Sequence, residues 1–120
     1  MILAAHQPQY LPWLGFYQKM ARCDAFDYLD EVQYKKREFQ NRNKVKTAQG
    51  ALWLTVPVKT RGRREQRIRD VRLGDEGDWA RRHWQSLRHH YRAAGHFSEH
   101  EAFFKNFYGR RWDLLAPACL

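Results

Sequence analysis

Two prolines within five residues, Pro8 and Pro12, follow directly on the apolar run of residues 1–5. Proline has no backbone N–H and a fixed φ, so the stretch between them can be neither strand interior nor helix interior. The chain must therefore open as a short strand that breaks at His6 into a loop. Pro12 then suits the first turn of a helix, where a missing N–H costs nothing. Trp13, Phe16, Tyr17 and Met20 recur at helical spacing as far as Ala21. Residues 25–29 read as a second short strand, closed by Asp30 and Glu31. Strand, loop, helix and strand make a βαβ unit with parallel strands and a right-handed crossover. Open parallel sheets bind ligands beyond the carboxyl ends of their strands. His6 and Asp30 fall at those ends.

Residues 35–50 are polar and basic and read as an excursion from the sheet. Residues 52–58 are rich in β-formers, and Pro57 places the end of that strand at a sheet edge or bulge. Thr60 to Arg67 reads as a second basic loop, and Ile68, Val71 and Leu73 as a further short strand. Asp78 is a candidate N-cap for a helix from Trp79 to Gly95, with Trp79, His83, Trp84, Leu87, Tyr91 and Ala94 as its apolar stripe. Ser98 and Glu101 have capping-box spacing for a last helix that Pro117 stops. The expected fold is α/β: a small, partly parallel sheet of three-layer type, with an N-terminal βαβ unit and two C-terminal amphipathic helices.

With 120 residues the chain has room for one domain. Five Trp, six Tyr and seven Phe set it apart from a disordered chain. Its apolar runs are only a few residues long, far below the ~18 of a membrane span. Residues 1–5 are too short for a secretory signal. Cys23 and Cys119 form neither a disulfide framework nor a close metal pair, which points to a reducing, cytoplasmic setting. The net charge is +9, and the interval from Lys35 to Arg67 carries all of that excess, with eleven Lys or Arg against two Glu. A charge so localised fits an anionic partner.

Histidine at a strand end can exchange a proton or donate to a developing oxyanion, which makes His6 a candidate general acid/base. Gln7 adds an amide beside it. Asp27, Asp30 and Glu31 could hold Mg²⁺ against a nucleotide phosphate or act as a base, with Asp30 the candidate base. Gln40, Asn41, Arg42, Asn43 and Lys44 are five consecutive polar side chains. In extended backbone Asn41 and Asn43 share one face, and Gln40, Arg42 and Lys44 share the other. Arg42 suits phosphate or carboxylate because its fork binds two oxygens at once. His96 and His100 have i,i+4 spacing, but the capping box puts His96 outside the helix, so no metal site is expected, and no cofactor fingerprint occurs.

Read together, these blocks resemble a known family. Residues 6–16, His-Gln-Pro-Gln-Tyr-Leu-Pro-Trp-Leu-Gly-Phe, resemble the opening motif of WbqC-like proteins. Asp30-Glu31-Val32-Gln33-Tyr34 with Lys36 is similar to the family's second block. Phe39 to Val45 is similar to its third, and Trp53 to Val58 to its fourth. Trp79, His83 and Tyr91 match a weaker helical pattern. The resemblance implies a bacterial protein associated with surface-polysaccharide biosynthesis, O-antigen included. It also implies transfer of an acyl or aminoacyl group to an amino sugar. In that setting His6 and Asp30 would be catalytic. Gln7, Tyr10, Gln33, Lys36, Gln40, Asn41, Arg42, Asn43 and Lys44 would bind a nucleotide-linked sugar or other anionic small molecule. Family members continue beyond this length, so residues 1–120 are expected to be the N-terminal part of a longer domain. The missing half of the domain, or a partner chain such as a second copy, would then cover Phe103, Phe107, Trp112 and Leu115.

Two other readings compete. The basic segment, interleaved with Tyr34, Phe39 and Trp53, would suit a nucleic-acid-binding module. An RNA-linked acyl donor would merge that reading with the transferase one. The third reading is an inactive truncated fragment.

Overall fold

The first strand, β1 (Leu3–His6), ends two residues short of Pro8, where the missing N–H of proline would break a ladder. The computed structural model describes residues 1–75 and 77–119. Helix α1 (Leu14–Ala21) starts after Trp13, its N-cap, so Pro12 lies just outside the helix rather than in its first turn. Strand β2 (Ala25–Tyr28) returns parallel to β1, with Leu3 opposite Ala25 and His6 opposite Tyr28. The βαβ unit is thus present. Phe16 is the buried residue of α1 and fixes the crossover, its ring lying edge-on to His6 at 5.1 Å and to Phe26 at 5.5 Å. The Ile2 N–H donates to the Asp24 carboxylate at 2.6 Å and Lys19 Nζ to the Ala5 carbonyl at 2.6 Å.

The region expected to leave the sheet is itself a strand. Strand β3 (Arg42–Thr47) pairs antiparallel with β4 (Gly50–Thr55), in register from Arg42 opposite Thr55 to Thr47 opposite Gly50. The polarity of β3 hid a period of two. Val45 faces the core beside Leu54 from the neighbouring strand, while Arg42, Lys44 and Lys46 face out. The turn closes on Gly50, whose φ of +113° suits glycine, and Thr47 Oγ1 donates to the Gly50 carbonyl at 2.7 Å. β4 stops at Thr55, three residues earlier than the β-forming run. The strands lie in two separate two-stranded sheets, β1–β2 and β3–β4.

The short strand expected near Ile68 is a 3-10 turn, Ile68–Asp70, flanked by single bridges from Leu73 to Val58 and Arg72 to Leu114. The i, i+3 spacing of a 3-10 turn stacks Ile68 over Val71, and both are fully buried. Helix α2 (Trp79–Tyr91) is capped by Asp78, whose carboxylate accepts from the Arg81 N–H at 3.2 Å. It ends at Tyr91, four residues before Gly95. Trp79, His83 and Leu87 form its buried stripe, and Ala94 is exposed beyond it. Helix α3 (Phe97–Gly109) begins one residue before Ser98. The expected capping box is replaced by a His96–Glu99 contact at 2.8 Å, and Glu101 pairs instead with Arg88 at 3.0 Å. The chain turns extended at Arg110, and a short helix α4 (Leu115–Cys119) follows. Pro117 sits in the first turn of α4, where no N–H is needed, so it opens a helix instead of stopping one. The core lies among β3, β4, the 3-10 turn and the three C-terminal helices. Val56, Ile68, Val71 and Leu115 are fully buried there, as is Tyr10 from the proline loop.

Candidate functional site

The proline loop and the start of β3 are held together by side-chain amides. Gln40 Nε2 donates to Gln7 Oε1 at 2.8 Å, and Gln40 Oε1 accepts from the Lys35 N–H at 3.0 Å. Gln40 is 2% exposed, so it bridges the two segments from inside. Asn41 is also buried. Its Nδ2 donates to the Val56 carbonyl at 2.9 Å, while Val56 N–H donates to the Asn41 carbonyl at 2.8 Å. Asn43 Nδ2 donates to the Leu11 carbonyl at 2.7 Å.

These bonds hold unusual backbone. Leu11 and Arg37 are the non-glycine residues with positive φ among the described residues, at 46° and 64°. Such a conformation is costly for a bulky residue, and more so for Leu11, which precedes a proline. Each is pinned through its own carbonyl from β3: Leu11 by Asn43, and Arg37 by Arg42 Nη2 at 2.5 Å. Three of the polar residues in the 40–44 cluster, Gln40, Asn41 and Asn43, thus spend their amide donors on the protein itself. They shape a site. Arg42 spends Nη2 on the Arg37 carbonyl, and Lys44 is exposed.

Arg42 and Lys44 both lie over the indole of Trp53, at 4.3 Å and 4.9 Å, and Phe39 is 6.0 Å from it. Lys44 and Trp53 are register partners, so the hairpin itself sets the second of these contacts. The Arg42 Nε is buried without a hydrogen-bond partner among the described residues. A cleft of about 270 Å³ opens beside Phe39, with Trp13, Gln9 and Asn43 as its other walls. Gln9 Oε1 is also buried and unpaired. Trp13 is held over the start of α1 because Gly15 leaves it room: a Cβ there would meet the indole at 2.1 Å. The cleft offers two aromatic walls and an amide acceptor, with the Arg42–Trp53–Lys44 stack beyond Phe39.

His6 stands at the carboxyl end of β1. Its Nδ1 lies 2.8 Å from the Gln7 carbonyl, which can only accept, so Nδ1 carries a proton. In the neutral ring Nε2 is then the acceptor, as a general base requires. Asp30 lies just past the end of β2. Its backbone joins Tyr28 and Arg69, and its carboxylate makes no ion pair among the described residues. The Leu29 N–H donates to the His6 carbonyl at 2.9 Å, which ties the two strand ends together. Gln33 lies elsewhere, bridged to Arg67 and donating to the Arg64 carbonyl at 3.0 Å. Lys36 is exposed in the turn before Arg37.

Tyr10 is fully buried and serves another cluster. Its hydroxyl lies 2.8 Å from His83 Nδ1 and also bonds the Tyr108 hydroxyl. The remaining His83 nitrogen faces the Thr55 carbonyl. Either hydroxyl can donate in the Tyr10–Tyr108 bond, and the His83 tautomer sets which partner donates between Nδ1 and Tyr10. Burial lowers the His83 pKa to about 4, so the ring is neutral near neutral pH. Burial raises Tyr108 to about 12 and Tyr10 well beyond the usual phenol range. Desolvation likewise pushes partly buried Cys119 up to about 12, and its Sγ donates to the Gln40 carbonyl at 3.3 Å. Gln9, Trp13 and Tyr108 were not singled out in the sequence as site or network members. For Gln9 and Trp13 the signal was their place in the proline-bracketed segment. Tyr108 carried none, because its partner is 98 residues away.

An α/β scaffold thus brings a proline-bracketed loop with a strand-end histidine against a basic, aromatic hairpin. The chain matches the WbqC-like protein family over residues 7–120 and belongs to that family. It is similar to an uncharacterised protein of Mycobacterium tuberculosis, 46% identical over 97 residues, a stretch that covers 81% of this chain. The same stretch spans 42% of the relative's length. No solved structure matches the chain. No helix is long and apolar enough to cross a membrane among the described residues.

Proposed function

We propose that the cleft between the proline loop and the hairpin binds a nucleotide-linked amino sugar, in the biosynthesis of bacterial surface polysaccharide. The observation that carries this reading is the seating of Arg42 and Lys44 on Trp53 beside a cleft walled by Trp13 and Phe39. Aromatic walls suit a base or sugar ring, and a guanidinium beside an ammonium suits a diphosphate. Lys36 would add charge near the phosphates.

The reaction we assign is transfer of an acyl or aminoacyl group to the sugar amine. The amine nitrogen attacks the acyl carbon and a new C–N bond forms. The bond from that carbon to its carrier breaks. His6 Nε2 takes the proton from the nitrogen and returns it to the leaving group. Asp30, beyond the neighbouring strand end, would support the charge that His6 gains. Gln7 would orient the substrate, while Gln40, Asn41 and Asn43 hold the cleft in shape. Tyr10 and Gln33, assigned to substrate on family resemblance, are given support roles here because Tyr10 is engaged in the core and Gln33 bonds the Arg64 carbonyl at the surface. The Arg42, Lys44 and Lys46 row also suits an RNA-linked acyl donor.

Calorimetric titration of this chain with nucleotide-linked amino sugars, against the same free sugars, tests the reading. Binding of the linked form, lost in Trp53→Ala and Arg42→Gln, is expected. Equal affinity for the free sugar, or binding indifferent to both substitutions, would refute the cleft assignment. His6→Ala retaining full transfer activity would remove the role given to His6.

A further inference from the structure

A second cavity, of about 280 Å³, opens on the other face of the proline loop, between that loop, α3 and α4. Tyr10 and Ala118 form its floor, and both are buried. Phe104, Phe107 and Trp112 form its walls, and Phe103, 67% exposed, stands at its rim.

Most polar side-chain atoms around this cavity are engaged elsewhere, the Tyr17 hydroxyl excepted. The Tyr10 hydroxyl bonds His83 and Tyr108. Trp112 Nε1 donates to the Phe107 carbonyl at 3.0 Å, and Cys119 Sγ to the Gln40 carbonyl. What remains is a largely apolar lining with one cationic side chain, Arg110, which makes no ion pair among the described residues. Apolar walls with a single charge fit a ligand that has an apolar body and one anionic end.

We propose that this cavity binds a medium-chain monocarboxylate, with its hydrocarbon tail among Phe104, Phe107 and Trp112 and its carboxylate on Arg110. Size sets the length. A methylene needs about the room of a water molecule, ~30 Å³, so the cavity holds on the order of eight carbons. The inference does not rest on the transferase reading, because it concerns a different cavity and needs no reaction.

The test is calorimetric titration of the full chain with acetate, butyrate, hexanoate, octanoate and dodecanoate. Each added methylene should tighten binding about fourfold, corresponding to about 0.8 kcal/mol, and the gain should stop near eight carbons. Arg110→Gln, a change at an exposed residue, should weaken octanoate at least tenfold and leave 1-octanol unaffected. Ala118→Leu should reduce octanoate binding by filling the floor, provided its circular dichroism matches the parent. Affinity that does not depend on chain length, that rises without limit to dodecanoate, or that ignores Arg110→Gln would overturn the proposal. None of these outcomes touches the cleft beside Phe39, which is read out with nucleotide-linked sugars.

Discussion

Asn43 donates its side-chain amide to the carbonyl of Leu11 at 2.7 Å, and Leu11 is held there at a φ of 46°. A strand in the middle of the chain thereby fixes a left-handed residue in the N-terminal loop. The backbone cost of such a residue is on the order of 1–3 kcal/mol and persists only where surrounding contacts enforce it. Asn43→Asp keeps the shape but removes the donor. It should destabilise the chain by about 1–3 kcal/mol in urea denaturation and weaken the ligand of the adjoining cleft. An unchanged midpoint would show that the loop holds itself.

The Tyr10–His83–Tyr108 cluster makes a prediction about acid. His83 titrates near 4 in the folded chain, against about 6.5 when unfolded. The folded pKa is depressed, so the neutral ring favours the native state above about 6.5. That stability is lost as pH falls from about 6.5 toward 4, where both states become protonated. The loss should total on the order of 3 kcal/mol. His83→Gln should flatten this part of the stability curve, and denaturation midpoints at pH 7 and pH 4.5 would show it.

Gln7 and Gln40 are linked by one bond at 2.8 Å, inside the junction of two motif blocks. Gln40→Ala should cost about 1–3 kcal/mol, because it leaves the Lys35 N–H without its acceptor. A double-mutant cycle with Gln7→Ala should show coupling of at least about 0.5 kcal/mol. Additive effects would mean that the amide bridge contributes nothing beyond its separate parts.

Trp53 is 40% exposed, so Trp53→Ala should change stability little. Its effect belongs to binding. Loss of one stacking surface is worth about 1–3 kcal/mol, so affinity for a nucleotide-linked sugar should fall roughly 5- to 150-fold. A variant that binds normally but unfolds early would turn Trp53 into a structural residue.

Cys119 is partly buried, and desolvation pushes its thiol up to about 12. Thiolate is the reactive form, and an ordinary thiol titrates near 8.5. Alkylation of Cys119 at pH 8 should therefore run on the order of 10³-fold slower than that of a free thiol in the native chain. It should reach the free-thiol rate in denaturant. Mass spectrometry of timed iodoacetamide reactions would measure both.

Much of this was legible in residue order. The prolines at 8 and 12 set the strand break, and the spacing of Trp13, Phe16, Tyr17 and Met20 announced α1. Asp78 marked the start of α2. Local chemistry suffices for these, because each depends on neighbours within a turn. The β3 strand escaped notice because Arg42, Lys44 and Lys46 mask its alternation. Only pairing with β4 and burial of Val45 make that stretch a strand. The same masking gave Asn41 and Asn43 the look of ligand-reading amides, whereas their partners, Val56 and Leu11, lie far along the chain.

The sequence by itself determined the βαβ start, the family, the localised basic charge and the residue types available for chemistry. These follow from short-range sterics, composition and motif order. Tertiary structure decided which polar groups are spent and which are free. It turned Gln40, Asn41 and Asn43 inward, stacked Arg42 on Trp53 and buried Tyr10 against His83 and Tyr108. Buried amides and hydroxyls must find partners, and those partners come from segments that only folding brings within hydrogen-bond reach.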